Sequence, residues 1–347
     1  MRARIYIYII SIVILLSSTF MAYAQQWHTT LDVRRPAAKQ LPAAVNDLLV
    51  VNNAVSQPDN FGHAVVSYGV NRGSESIDLK EVPQLMLFAV TERLDYSGMF
   101  SSVGLVSKSQ NAGSFFSDVS LNSRQADSLA GMYMADALLV LDKVVIYDKH
   151  ELLRDDYDYY AVLEAYTTST WTLLTKQGGG WRSAVIIHAD TLVWEESSYD
   201  SSLALQQLPD RHTALLDMAT YSAERFAAQY IPQWETVDRY LYQNRNDLLA
   251  EGMTHFTYRR WQQAAETWQA AYEAAKDGDE TKAYAAADIA VAEEIQGDLQ
   301  SARQWAKRSA EAFGRMKSAD AAQQQVNVTY YMRELEQRER DEKKLNQ

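Results

Sequence analysis

The chain has 347 residues, 47% of them apolar and 22% charged, with a formal net charge of −12. That length exceeds what one hydrophobic core usually serves, roughly 250–300 residues, so two domains are expected. The acidic balance works against nucleic acid and anionic lipid surfaces, which are held by Lys and Arg. The absence of cysteine excludes disulfides, thiol nucleophiles, thiolate metal sites and a lipid-modified N-terminal cysteine.

Residues 1–24 read as a signal peptide: Arg2 and Arg4, an apolar stretch over 5–16, and Ala22-Tyr23-Ala24 ahead of Gln25. The apolar stretch is shorter than the roughly 20 residues that span a bilayer, which favours cleavage over the alternative of an uncleaved anchor. Cleavage leaves 31 basic and 45 acidic residues, a net charge of −14. The expected product is exported and soluble, in the periplasm or cell envelope, with no integral membrane segment.

Residues 25–232 alternate strand-like and helix-like runs. A short buried strand is expected at 48–51 and an amphipathic helix at 79–94, with Asp78 and Glu81 as a capping pair. A strand follows at 100–106, then a helix opened by Asn122 and Gln125. The run at 137–147 is almost continuously apolar, which predicts a strand covered on both faces. Two long strands rich in β-branched and aromatic residues follow at 159–175 and 182–194, joined by Gly178, Gly179 and Gly180. A helix over 209–229 closes the unit. The order β-α-β-α-β-β-β-α implies an α+β fold with helices sandwiched on a mixed sheet.

The segment 54–77 is too long for an ordinary connection. It is either a binding loop carrying Phe61, His63, Tyr68 and Arg72 or an extra edge strand at 64–68. Both remain open on sequence grounds.

From Trp234 the composition shifts to Ala, Gln, Glu and Trp, and 233–336 is read as wholly helical, with 337–347 a charged tail. Gly252, Ala264, Trp268 and Ala271 align with Ala290, Ala302, Ala306 and Ser309, so small residues recur where helices must touch. This pattern resembles tetratricopeptide repeats, with a third helical segment at 320–335. The inner face of such an array would carry Asn246, Leu249, Ala250, Met253 and Phe256, then Tyr284, Ala287, Asp288, Val291 and Glu294. It lacks the Lys and Arg that grip a peptide carboxylate. Leu249, Met253 and Phe256 instead favour an apolar helix or strand, unless the face is buried against the first domain.

Three stretches, 208–219 (LPDRHTALLDMA), 230–242 (YIPQWETVDRYLY) and 259–268 (RRWQQAAETW), resemble a family of exported Bacteroidetes proteins without an assigned activity. The likeness runs from about 41 to 335. Members of that family commonly carry a lipoprotein cysteine, which this chain lacks. The first half is also similar in element order to adaptor domains of the TolB N-terminal and LpoB type. Neither resemblance carries a catalytic residue.

Gly-x-Ser-x-Gly and Ser-x-x-Lys arrangements are missing, and Lys176-Gln177-Gly178 reads as a hairpin turn. The histidines, His28, His63, His150, His188, His212 and His255, are scattered, so no metal site and no cofactor are expected; His188 and Asp190 share one strand face. Asp155, Asp156 and Asp158, with Glu151 nearby, fit a solvated hairpin tip or the carboxylates of a hydrolase. Trp261, Trp268 and Trp305 sit at core spacing, although stacking on carbohydrate is a further use for a chain with 21 tyrosines. The reading is a non-enzymatic envelope module acting through contact with another protein or peptide. The alternative is an envelope hydrolase, or a carbohydrate-active or carbohydrate-binding protein.

Overall fold

A computed structural model describes residues 25–39, 41, 45–177 and 180–345, and these form two compact units. One comprises 37–233; the other joins 25–36 to 234–347. The expected leader, 1–24, and Gly178 and Gly179 of the expected turn lie outside the described residues. Among the described residues no helix is long and apolar enough to cross a membrane.

The N-terminal strand β1 (Gln25–Arg35) belongs with the second unit, so the first unit begins later than residue 25. Its sheet contains β2 (Asp47–Asn52), β3 (His63–Ser67), β4 (Val70–Ser74), β5 (Ser102–Val106), β6 (Ala137–Arg154), β7 (Tyr159–Gln177) and β8 (Gly180–Ser198). Long β6 is the axis. Its first half pairs parallel with β2, which in turn pairs parallel with β5. Its second half pairs parallel with β3, whose antiparallel partner is β4. The opposite edge of β6 pairs antiparallel with β7 along its length, and β7 pairs with β8 from Tyr159↔Ser198 to Gln177↔Gly180. The sheet is therefore mixed, as the element order implied.

The hairpin β3–β4 resolves the 54–77 segment as edge strands rather than an open loop. A bulge at Asp142 interrupts the β6–β7 register between Leu141 and Lys143. The inserted carboxylate accepts from Asn53 Nδ2 (2.8 Å) and Thr172 Oγ1 (2.6 Å). Burial pushes its pKa up, and those two bonds oppose the rise.

One sheet face carries α1 (Val82–Tyr96) and α4 (Arg211–Ala228), which bury Met86, Leu87, Val90, Leu215, Met218 and Phe226. Phe226 stacks on Trp171 of β7 at 4.5 Å between ring centres. On the other face, among the described residues, α2 (Ser123–Tyr133) packs its Ala126 and Ala130 with Leu49, Val51, Leu138, Val140 and Leu174. Asn122 and Gln125 form the expected reciprocal cap of α2. Asp78 does not cap α1, because the helix starts after Glu81 and Asp78 instead accepts from Lys80 N. Short α3 (Ser201–Gln207) leads into α4, whose N-cap is Asp210.

The second unit corrects the wholly helical expectation for 233–336. Strand β9 (Gln233–Gln243) pairs with β1 before the helices begin. Then come α5 (Asp247–Thr257), α6 (Trp261–Ala274), α7 (Glu280–Gln296), α8 (Leu299–Gly314) and α9 (Ala319–Leu345). Every small position in the aligned segments is buried: Gly252, Ala264, Ala271, Ala290, Ala302, Ala306 and Ser309. Ser309 Oγ donates to Ala283 O at 2.7 Å, tying α8 to α7. The expected tail at 337–347 is helical as far as Leu345, and Asp341 is buried by Arg35 of β1 (3.2 Å) and Gln337 (2.7 Å).

Candidate interaction site

The inner face expected of the helix pairs exists, and the chain's own β9 lies on it. Tyr242 stacks on Tyr284 at 5.1 Å, and its N–H donates to Asp288 Oδ1 at 2.8 Å. Burial pushes the Asp288 carboxyl well above the usual range, opposed by that single bond, and Asp288 Oδ2 has no partner.

Three residues earlier Arg239 enters the same face. Its Nε and Nη2 donate to the two oxygens of Glu294 at 2.7 and 2.9 Å, and its Nη1 donates to Glu334 at 2.9 Å. Tyr331 Oη (2.7 Å) and Arg338 Nη1 (2.6 Å) also donate to Glu294. Burial alone would raise the Glu294 pKa. The bonds and charge of Arg239, with Tyr331 and Arg338, hold it below its ordinary value instead. Burial and the neighbouring Glu294 push Tyr331 well up.

This network floors a groove of about 630 Å³ between β9, α7 and α9. Val237, Tyr240, Val291, Val326 and Tyr330 wall it, with Glu334 at one side. Tyr240 is 51%, Val326 62% and Tyr330 64% exposed, so the rim is apolar and open. A fixed polar floor under an apolar rim is suited to seating an apolar segment with a few polar groups in register.

The residues singled out from sequence are dispersed. Leu249 and Phe256 are core rather than docking residues: Leu249 O accepts from Trp268 Nε1 at 3.2 Å, and Phe256 packs edge-on against Trp261. Met253 is half-buried against the same core, and Asn246 caps α5 by accepting from Leu249 N. His63 is also corrected: it is buried, with Nδ1 2.5 Å from Asp148 Oδ1, and Arg211 Nε holds the other Asp148 oxygen at 2.6 Å. Phe61 is half-buried in a ring cluster with Phe115, Phe116 and Tyr147. Tyr68, at the β3–β4 turn with φ +51°, and Arg72 of β4 are exposed.

Asp155 organises the β6–β7 hairpin tip. It accepts from Tyr157 N, Asp158 N and Tyr160 Oη, and the two backbone bonds together with the phenol hold its carboxyl below the usual range. His188 Nε2 lies 2.6 Å from Asp190, which also meets Arg225 Nε at 3.0 Å. Among the described residues no group of three or more His, Asp or Glu converges to hold a metal ion.

The model for a domain of unknown function, DUF8603, matches residues 45–242. The chain belongs to the DUF8603 family. A second domain of unknown function, DUF6340, matches residues 250–337. No curated protein matches the sequence. In this DUF8603 protein the groove residues that sequence reasoning missed include Arg239, Val326, Tyr330 and Tyr331. A signal for three of them was present: Val326 and Tyr330 stand four apart, on one helix face with Tyr331 beside them. Arg239 had none, because its partner is 55 residues away.

Proposed function

We propose that this DUF8603 protein is a non-enzymatic binding or scaffolding module that seats a segment of another envelope protein in the groove between β9, α7 and α9. The single observation that carries the reading is the open rim of Tyr240, Val326 and Tyr330 over a floor in which Arg239 holds Glu294 and Glu334. Side chains with that much apolar surface in one place mark interaction sites more often than solvent-facing chance. The partner chemistry is an apolar helix or strand.

Export belongs to the same proposal, supported by the Arg2 and Arg4 end, the apolar stretch and the Ala22-Tyr23-Ala24 pattern of the leader. So do the Bacteroidetes origin and a tetratricopeptide-like ancestry of the helical region. The recurrence of buried small residues from Gly252 to Ser309 supports the ancestry. The likeness to TolB N-terminal and LpoB domains draws support from the order of strands and helices in 37–233, and speaks to fold alone. The hydrolase alternative rested on Asp155, Asp156 and Asp158; Asp155 spends its oxygens on the turn.

A photoactivatable residue at position 330, in cells that make the full chain, tests the proposal. A discrete adduct with one protein, lost when Val326→Asp is added, is the expected result. No adduct, or one indifferent to Val326→Asp, overturns it.

A further inference from the structure

The sheet of residues 37–233 ends on β8, and among the described residues β7 is its only strand partner. Nineteen residues in unbroken register therefore present one free edge. Such edges are normally blunted by brevity, proline, a bulge or lysines. This strand has none of these, its one inward charge being Asp190 beside Arg225, and it exposes Val185 (67%), Ile187 (68%) and Val193 (54%) on the face that α2 leaves bare. An edge of that kind needs a strand to cover it.

We propose that the occupant is a second copy of this chain, its β8 antiparallel to the first about a two-fold axis through Ala189. The strand is self-complementary about that residue. Ala189 is the midpoint of Gly180–Ser198, so the two copies overlap over the whole strand. Val185 then stands opposite Val193 of the second copy, and Ile187 opposite Thr191. Arg182 stands opposite Glu196, twice by symmetry. Both charged residues are exposed, and neither has an ion-pair partner among the described residues. Moving the axis to Asp190 sets Asp190 against itself and Val185 against Glu195. Moving it to His188 leaves Arg182 and both glutamates without an opposite charge. Of these three registers, the one at Ala189 alone sets Val185 against Val193 and Arg182 against Glu196. The result is a sheet continuous across two protomers.

This contact is independent of the β9–α7–α9 groove, and its failure leaves that reading untouched. The chain has no cysteine, so one introduced thiol reports unambiguously. Opposed residues in an antiparallel pair have Cα atoms about 4.5–5.5 Å apart, within disulfide reach. In the full chain under mild oxidation, Ala189→Cys should form a covalent dimer in high yield. Thr191→Cys should not, since its two copies would lie about 14 Å apart along the strands. Sedimentation should show a dimer that Arg182→Glu weakens on the order of tenfold, as two exposed ion pairs become repulsions. Arg182→Glu with Glu196→Arg should restore it. A monomeric wild type, cross-linking from 191 as readily as from 189, or a dimer indifferent to these reversals overturns the proposal. If a charge variant fails to fold, the comparison of 189 with 191 still decides.

Discussion

Arg239 on β9 and Glu294 on α7 form a two-pronged ion pair, 2.7 and 2.9 Å, in which both side chains are almost wholly buried. Buried pairs of this kind add little over a hydrophobic pair, yet breaking one leaves a charge stranded. Here Arg338 and Tyr331 also reach Glu294, so the stranding is partial. Arg239→Met should cost about 3 kcal/mol, near the low end of the range for such losses, measured as a shift in denaturant midpoint.

The same pair sets a pH dependence. The Glu294 carboxyl is held below its ordinary value of 4.5, so its stabilisation is complete above pH 4.5 and disappears as pH falls through the lower folded-state value. The penalty of Arg239→Met should therefore be smaller at pH 3 than at pH 7. Equal penalties at both would contradict the pairing.

Asp288 runs the other way. Burial raises its carboxyl well above 3.8, so the folded state holds a proton that the unfolded chain releases. Its stability contribution is full below pH 3.8 and falls as pH rises towards the folded-state value. Asp288→Asn retains an acceptor for Tyr242 N and removes the ionisation. The variant should match the wild type near pH 3 and exceed it at pH 7 in paired thermal melts.

Gly252 and Trp268 are packed too closely for any side chain at 252: a Cβ there would lie 2.2 Å from the indole Nε1. The indole cannot yield without losing its bond to Leu249 O. Gly252→Ala should destabilise the second unit by about 2–3 kcal/mol through overpacking, in the urea midpoint. A neutral effect would place the helix contact elsewhere.

These cases show what was legible beforehand. The run at 137–147 announced the central strand because both its faces are covered, and Asn122 with Gln125 announced their helix start because a cap is local. Gly252 and Ala264 announced close helix contact by size alone. Strand β9 was missed because its polar residues Glu235, Thr236 and Asp238 are exposed amid a helical composition. Leu249 and Phe256 were misplaced for a related reason. Their faces were right for burial, but it is Trp261 and Trp268 of the adjoining helix that bury them, where a partner was expected. His63 offered no warning, since Asp148 and Arg211 are distant in sequence.

The His63–Asp148–Arg211 cluster should behave as a structural strut. Arg211→Met removes the guanidinium that holds one oxygen of the buried Asp148 and should cost about 3–5 kcal/mol in denaturant unfolding. A loss under about 1 kcal/mol would show that His63 alone satisfies Asp148.

The most direct measurement is hydrogen exchange of the chain, free and bound to the protein captured from position 330. New protection should concentrate in 237–242 and 326–334, the two walls of the groove, with the hairpin tip at 155–160 unchanged. Protection at 155–160 with both groove walls unaltered would contradict the account.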